Sequence, residues 1–208
     1  GNYLPRYFVG GYVRDKLMGK ASTDIDIISL ADMETVKREF DKLNIKYWQG
    51  KTLKQQQVLT FKVGDMDVDL TVAEAEDLPK DLMRRDFTVN SVAQSVTGQF
   101  YDPSNGLADI KARILRSPRN QSSKKFEEDP IRIFRAARFS AHYKLRVHPS
   151  VIKGIREHKE KLADAPASRI GKEFTQIMQI EASNKAMEFL LEHELLGYID
   201  ESLVDMVG

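Results

Sequence analysis

Apolar residues alternate with polar ones through the first half of the chain and recur at three- and four-residue spacing through the second. Residues 7–9 are a short apolar run ending in the turn pair Gly10-Gly11, and residues 12–17 read as a helix stopped by Gly19. Residues 24–30 alternate acid with isoleucine and then turn apolar, the pattern of a strand with one end at a polar site. Residues 33–43 carry Val36 and Phe40 at helical spacing, with Asp32 placed to cap them. Further strands are predicted over 45–48, 58–63 and 66–71, the last two joined by a Gly64-Asp65 hairpin turn. Residues 78–87 read as helical or irregular and 88–95 as extended or mixed. A short helix is expected around 107–112, then a strand at 114–115.

Beyond this point the pattern changes. Residues 118–125 read as a polar linker. Asp129-Pro130 has the form of a helix start, with aspartate as N-cap and proline at the first position, and Ile131, Phe134, Ala137 and Ala141 supply an apolar stripe. Pro149 opens another helix with Val151, Ile152 and Ile155. Helices over 168–180 and 183–191 follow, and the chain is expected to stay helical to its end. Strands first and helices afterwards argue an α+β fold: a head with a small mixed sheet over residues 1–117 and an all-α module over 118–208.

Composition narrows the function classes. A chain of 208 residues, 41% hydrophobic and 30% charged, is ordinary for a soluble globular protein of one or two small domains. No apolar run approaches the roughly 18 residues of a membrane span, and there is no signal-peptide pattern. The first residue is Gly1 rather than Met, which points to a trimmed or replaced start. With no cysteine, disulfides and thiolate metal sites are excluded, which fits a reducing compartment such as the cytoplasm. The histidines His142, His148, His158 and His193 are scattered without metal-ligand spacing. Net charge is only +1, but its distribution is uneven. Basic residues gather over 113–125 and continue through Arg132, Arg135 and Arg138, while acids concentrate between Asp65 and Asp86. Such asymmetry suggests one region built for metal and another for phosphate.

Asp24 and Asp26 stand two apart on a predicted strand, so both carboxylates face one side within a few ångströms. Like charges so close are mutually costly, and a hard divalent cation such as Mg²⁺ relieves them. Asp65, Asp67 and Asp69 share another strand face, and Asp67 or Asp69 could supply a third ligand. A D-x-D by itself also describes a solvent-facing strand edge. Gly10-Gly11 before a helix adds unhindered backbone N–H groups that can meet phosphate. No G-x-x-x-x-G-K-[ST] run is present, so metals rather than a P-loop lysine must carry the charge.

Five ordered segments then resemble one family. Gly10 to Gly19 followed by Thr23-Asp24-Ile25-Asp26-Ile27 is similar to the first motif of class II tRNA nucleotidyltransferases and bacterial poly(A) polymerases. Arg84-Arg85-Asp86-Phe87-Thr88-Val89-Asn90-Ser91 resembles its R-R-D-F-T-x-N-A, and the segment from Tyr101-Asp102-Pro103 to Asp109-Ile110-Lys111 its D-P-x-x-G-x-x-D-L. Glu128-Asp129-Pro130-Ile131-Arg132 resembles its E-D-x-x-R, and residues 133–139 continue as expected.

The resemblance implies a nucleotidyltransferase-type palm as head, an all-α neck, and template-independent addition of CMP and AMP to a tRNA 3′ end from CTP and ATP, without a membrane or protein partner. It implies that Asp24, Asp26 and Asp67 hold two Mg²⁺ ions. Gly10, Gly11 and Arg14 would lie at the triphosphate, Arg84, Asp86 and Asn90 at the ribose and phosphates. Asp129 and Arg132 would read the base edge, and Arg135 would meet the triphosphate. Cytosine and adenine both offer an amine beside an acceptor, which a fixed Asp/Arg pair can match. Two departures stand out: the segment between Thr71 and Asp81 is short, as in the CC-adding subgroup, and the family's C-terminal body and tail are absent. CC-only addition, poly(A) addition and an inactive nucleotide- or RNA-binding module are the competing readings.

Overall fold

The computed structural model describes residues 5–52 and 55–199, which form two units, residues 1–110 and 111–208. In the first, β1 (Arg6–Val9), α1 (Gly11–Leu17), β2 (Asp24–Ser29), α2 (Met33–Lys42), β3 (Tyr47–Lys51), β4 (Gln57–Val63), β5 (Met66–Val72), α3 (Leu78–Arg84), β6 (Ala93–Ser95), β7 (Phe100–Tyr101) and α4 (Gly106–Ala112) follow in order. The strands make one sheet in the order β3-β4-β5-β2-β1-β6-β7. Its pairings are antiparallel except β2 with β5, which run parallel with Asp24 beside Asp67 and Asp26 beside Asp69.

Period-two alternation sorts the two faces. Ile25, Leu59, Phe61, Val68 and Leu70 point to one side and bury against Val36 and Phe40 of α2. Phe40 meets the Phe61 ring edge-on at 4.9 Å. Each such side chain contributes about 1.5–3 kcal/mol by leaving water. Asp32 caps α2 as expected, its side chain accepting from Thr35 N. The opposite face is apolar at one end, where Val9, Ile28 and Ala93 pack with Leu78 and Leu82 of α3. At its other end it carries the four aspartates.

The second unit contains β8 (Ile114–Leu115), α5 (Ser122–Glu128), α6 (Arg132–His142), β9 (Arg146–Val147), α7 (Pro149–His158), α8 (Ala167–Gln179) and α9 (Ser183–Glu192). β8 pairs in parallel with β9. The stripe on α6 is wider than its spacing suggests, since Ile133, Phe134, Ala136 and Ala137 are all essentially inaccessible. α5 crosses α7 at Gly154, where a Cβ would stand 2.9 Å from Ser123 N and 3.0 Å from the Phe126 ring.

Three expectations are corrected. Residues 118–125 are not a linker: a 3-10 turn (Pro118–Asn120) leads into α5, because buried Phe126 anchors that segment. Asp129 is not the first cap of a helix begun by Pro130. It breaks α5 from α6 with an extended backbone (φ −150°, ψ 96°), and α6 starts at Arg132. The second half is not helical throughout: strand β9 (Arg146–Val147) interrupts it between α6 and α7, and two residues carry no strand signature of their own. The expectation of helix to the end of the chain falls, for residues 200–208, outside the described residues.

Candidate active site

The parallel β2–β5 pairing builds the acidic centre. Ile25, Val68 and Leu70 must bury, so Asp24, Asp26, Asp67 and Asp69 are all turned to the other face. The four carboxylates do not have equal partners. Lys62 Nζ pairs with Asp67 Oδ1 at 2.9 Å, and Thr60 Oγ1 donates to Asp69 Oδ1 at 2.7 Å. Asp26 is exposed by surface area, yet the protein around its carboxylate desolvates it enough to hold its pKa above the ordinary aspartate value. Arg85 opposes that rise, and Asp69 and Asp24 add to it. Asp26, Asp69, Asp81 and Arg85 line a cavity of about 380 Å³ with Thr52 and Gln56, floored by Val9, Ile28 and Val58.

The sequence favours Arg84 and does not distinguish Arg85. Arg84 ends α3 exposed and does not line this cavity. Arg85 is half-buried, donates from Nη2 to Asp81 at 3.3 Å, and leaves its buried Nε without a partner among the described residues. Its guanidinium passes over Gly10, where a Cβ would stand 2.7 Å from Nη1; Gly10 also has φ +66°. The second residue of an Arg-Arg pair at a helix end has no distinguishing sequence signal; only the break of α3 at Arg84 separates the two.

Arg14, expected at the triphosphate, is buried. Its Nε and Nη2 both reach Asp15 Oδ1 at 3.1 Å, and Nη1 donates to Asn90 Oδ1. Asn90 in turn donates from Nδ2 to Asp86 Oδ1 at 3.0 Å, which also accepts Phe87 N at 2.9 Å. Arg14, Asn90 and Asp86 therefore form one buried polar chain that ties α1 to the turn at residues 88–90, with Gly11 close beneath the Arg14 guanidinium.

The segment from Tyr101 to Asp109 is framework. Asp102 accepts Gly106 N at 2.7 Å and Leu107 N at 2.9 Å, capping α4. Buried Asp109 accepts the Thr88 hydroxyl at 2.6 Å. A Cβ on Gly106 would collide with Thr88 O and lie 2.8 Å from Val92 Cγ2.

In the second unit, Asp129 receives Arg169 in a bidentate pair, Nη1 to Oδ1 at 3.1 Å and Nη2 to Oδ2 at 2.8 Å. Arg132 donates from Nη1 to Lys125 O at 3.2 Å and stands 3.5 Å from Glu128. Its Nε and Nη2 make no bond to the described residues. Arg135 lies over the Phe139 ring and 3.7 Å from Glu173, which Arg138 Nε also reaches at 3.3 Å.

The donor set fits a hard divalent cation in its chemistry: adjacent carboxylates on one face, one of them, Asp26, raised first by burial and then by its like-charged neighbours. Among the described residues, however, no three His, Cys, Asp or Glu side chains already converge as a cage. Such a cation would draw its other ligands from water and phosphate, which is usual for magnesium. No helix of the described residues is long and apolar enough to cross a membrane.

Residues 6–116 match the family model described as the poly A polymerase head domain, and residues 144–205 match one described as "Probable RNA and SrmB- binding site of polymerase A". The chain is 31% identical over 203 residues to the CCA-adding enzyme of Leuconostoc mesenteroides subsp. mesenteroides, and 32% identical over 203 residues to that of Streptococcus mutans serotype c. Each match covers 93% of this chain and 50% of the relative. The chain thus spans about half the length of these curated relatives. Among solved structures, a tRNA-processing enzyme with CTP aligns with TM-score 0.82 and 29% identity, over 94% of this chain and 55% of that one. A tRNA nucleotidyltransferase complexed with a primer tRNA and an incoming ATP analog aligns with TM-score 0.80 and 28% identity, over 94% and 59%.

Proposed function

Because the chain belongs to the poly A polymerase head-domain family, with a palm-type α+β head and a helical neck, we propose that it catalyses template-independent addition of CMP and AMP to the 3′ end of tRNA. The observation that carries this reading is the set of aspartates on one open sheet face, with Asp26 desolvated beside Asp69 and Asp24. CTP, ATP and the tRNA acceptor end are the proposed substrates, pyrophosphate the second product, and the cytoplasm, where tRNA and nucleotides meet, the setting. We assign residues 1–117 to the catalytic head and 118–208 to the neck.

Asp24 and Asp26 would hold magnesium, two ions by this reading, with either Asp67 or Asp69 as third carboxylate. The register favours Asp69 beside Asp26, since Asp67 is already paired with Lys62. When bound, the metal supplies charge neutralisation at the phosphates and at the attacking oxygen. The protein's own contribution is positional. The missing side chains at Gly10 and Gly11 make room for the Arg85 and Arg14 guanidinium groups, and the N–H groups there would be offered to phosphate beside them. Arg85, which lines the cavity beside Asp26 and Asp69, is suited to the triphosphate charge, with exposed Arg84 nearby in sequence and Arg135 as a further cation. The Arg14–Asn90–Asp86 chain fixes the turn that presents the ribose contact. Such positioning and fixed electrostatics are most of what phosphoryl chemistry asks of side chains.

Base choice is assigned to Asp129 and Arg132. Asp129 offers lone pairs to an exocyclic amine, and the open Nε and Nη2 of Arg132 offer donors to a ring nitrogen or carbonyl. Arg132→Ala is expected to lower the preference for CTP and ATP over UTP and GTP by roughly tenfold, with little change in melting temperature. Competition among the four nucleotides checks this; an unchanged preference removes Arg132 from base reading.

The connection over residues 73–77, which takes β5 directly into a 3-10 turn and α3, favours CC-only addition as the second reading. Incubating the protein with each nucleotide and a tRNA ending before CCA tests all of these. Two cytidines and then adenosine support the proposal. A stop after two cytidines supports CC addition, long adenosine tracts a poly(A) polymerase, and no incorporation a binding module.

A further inference from the structure

We infer that Trp48 is a stacking platform for the single-stranded 3′ end of the RNA acceptor, holding a base upstream of the reacting hydroxyl over the outer strands of the sheet. The inference deepens the transfer reaction proposed above and rests on it.

Trp48 is the chain's one tryptophan, and it is 62% exposed. Strand alternation forces it outward. Its neighbour Tyr47 turns to the apolar layer, where its ring meets Phe40 edge-on at 5.7 Å. Trp48 must then take the opposite face of β3, the face that carries the aspartates. The register sets Trp48 opposite Thr60, Thr60 opposite Asp69 and Asp69 beside Asp26, so one row crosses four strands from the indole to the acids. Neighbouring strands lie about 4.8 Å apart, which places the Trp48 backbone about 10 Å from that of Asp69 and about 14 Å from that of Asp26. The row is tied together, since Thr60 Oγ1 donates to Asp69 Oδ1.

A single exposed apolar side chain is ordinary by itself. This one stands on the acidic row with its flanks bare. Gly50, next on the same face of β3, has no side chain to cover the indole, and a Cβ there would meet only Val58 at 3.7 Å. On its other side β3 is the edge of the sheet.

The strand order also gives the side from which the acceptor enters. Gly10-Gly11 follows β1, and the Arg85 guanidinium passes over Gly10, so the groups proposed for the triphosphate lie on the β1 side of Asp26. In phosphoryl transfer the attacking and leaving oxygens stand roughly in line across the phosphorus. With pyrophosphate leaving towards β1, the attacking hydroxyl comes from the side of β5, β4 and β3, where Trp48 offers an aromatic face. Lys62, two residues beyond Thr60 on the same face of β4, adds a half-exposed cation to that approach. A flat ring beside a lysine takes single-stranded RNA through the π-face of any base and the backbone charge. It asks for no particular base, which suits a strand whose terminal residues change as nucleotides are added.

The lone indole makes the contact directly readable. Intrinsic fluorescence of the full chain is followed while a tRNA ending before CCA is added without nucleotide, and separately while CTP alone is added. The RNA is expected to quench the emission and CTP to leave it nearly unchanged. In steady-state transfer, Trp48→Ala is expected to raise KM for the RNA about tenfold with KM for CTP unchanged. Trp48→Phe is expected to keep most of the wild-type value, because stacking needs a ring and not an indole. KM for CTP, read from the same preparation, controls for damage to the fold. Emission unquenched by RNA, a wild-type KM for RNA in Trp48→Ala, or an equal rise in both KM values overturns the inference while the proposed function stands. Emission that shifts with protein concentration in the absence of RNA overturns it in favour of a second copy of the chain on the β3 edge. A wild type that transfers no nucleotide overturns the proposed function itself, by a measurement separate from the quenching.

Discussion

Asp26→Asn is expected to reduce nucleotide transfer by about a thousandfold or more and, in the same protein, to raise the melting temperature near neutral pH. The loss follows from replacing a charged oxygen ligand with an amide that holds a cation poorly. The gain follows from the direction of the Asp26 shift. Burial first, then Asp69 and Asp24, hold its folded pKa above the unfolded value despite Arg85. The folded state therefore binds this proton more tightly than the unfolded one. That contribution is complete below the unfolded pKa and is lost as pH rises through the folded pKa, leaving wild type carrying the cost of the ionised form at neutral pH. Asparagine never ionises. Melting curves at pH 4 and pH 8 should show the variant's advantage at pH 8 and little at pH 4. Added Mg²⁺ should raise the wild-type melting temperature and leave the variant nearly unmoved. A variant less stable than wild type at pH 8 would contradict the assignment of strain to Asp26, and retained turnover would contradict its catalytic role.

Gly106→Ala is expected to destabilise the head by about 3 kcal/mol or more, lowering its melting temperature by roughly 6–12 °C. The added methyl would press against the backbone oxygen of Thr88, which cannot move without disturbing the Thr88–Asp109 hydrogen bond. Transfer should fall alongside stability, because residues 88–90 also carry the Asn90 link to Arg14 and Asp86. Thermal denaturation checks the first effect. A melting temperature within 1–2 °C of wild type would show that the turn and α4 can separate cheaply.

The sequence disclosed the acidic face because its cause is local. Alternation in β2 and β5 settles which side Asp24, Asp26, Asp67 and Asp69 take, whatever the rest of the sheet does. Helices α2, α7, α8 and α9 were legible for the same reason, each having its own apolar stripe. Whether Asp69 or Asp67 neighbours Asp26 depends on register between strands nearly forty residues apart, and no local pattern carries that. Arg14 reads as a surface cation beside two glycines until Asp15 and Asn90 are seen to enclose it. Helix α5 looks polar because one side chain, Phe126, supplies most of its anchorage.

The lone parallel pairing in the sheet makes the hairpin at Gly64-Asp65 a ruler. Side chains repeat every two residues, so lengthening β5 by one before Asp67 would swing every carboxylate of that strand into the apolar layer against Val36 and Phe40. Lengthening it by two would leave them facing outward but slide Asp67 alongside Asp26 and carry its Lys62 partner out of step. Strand length at this hairpin thus sets which acids become neighbours, and inserted pairs of residues there offer a way to retune the centre without substituting any of its aspartates.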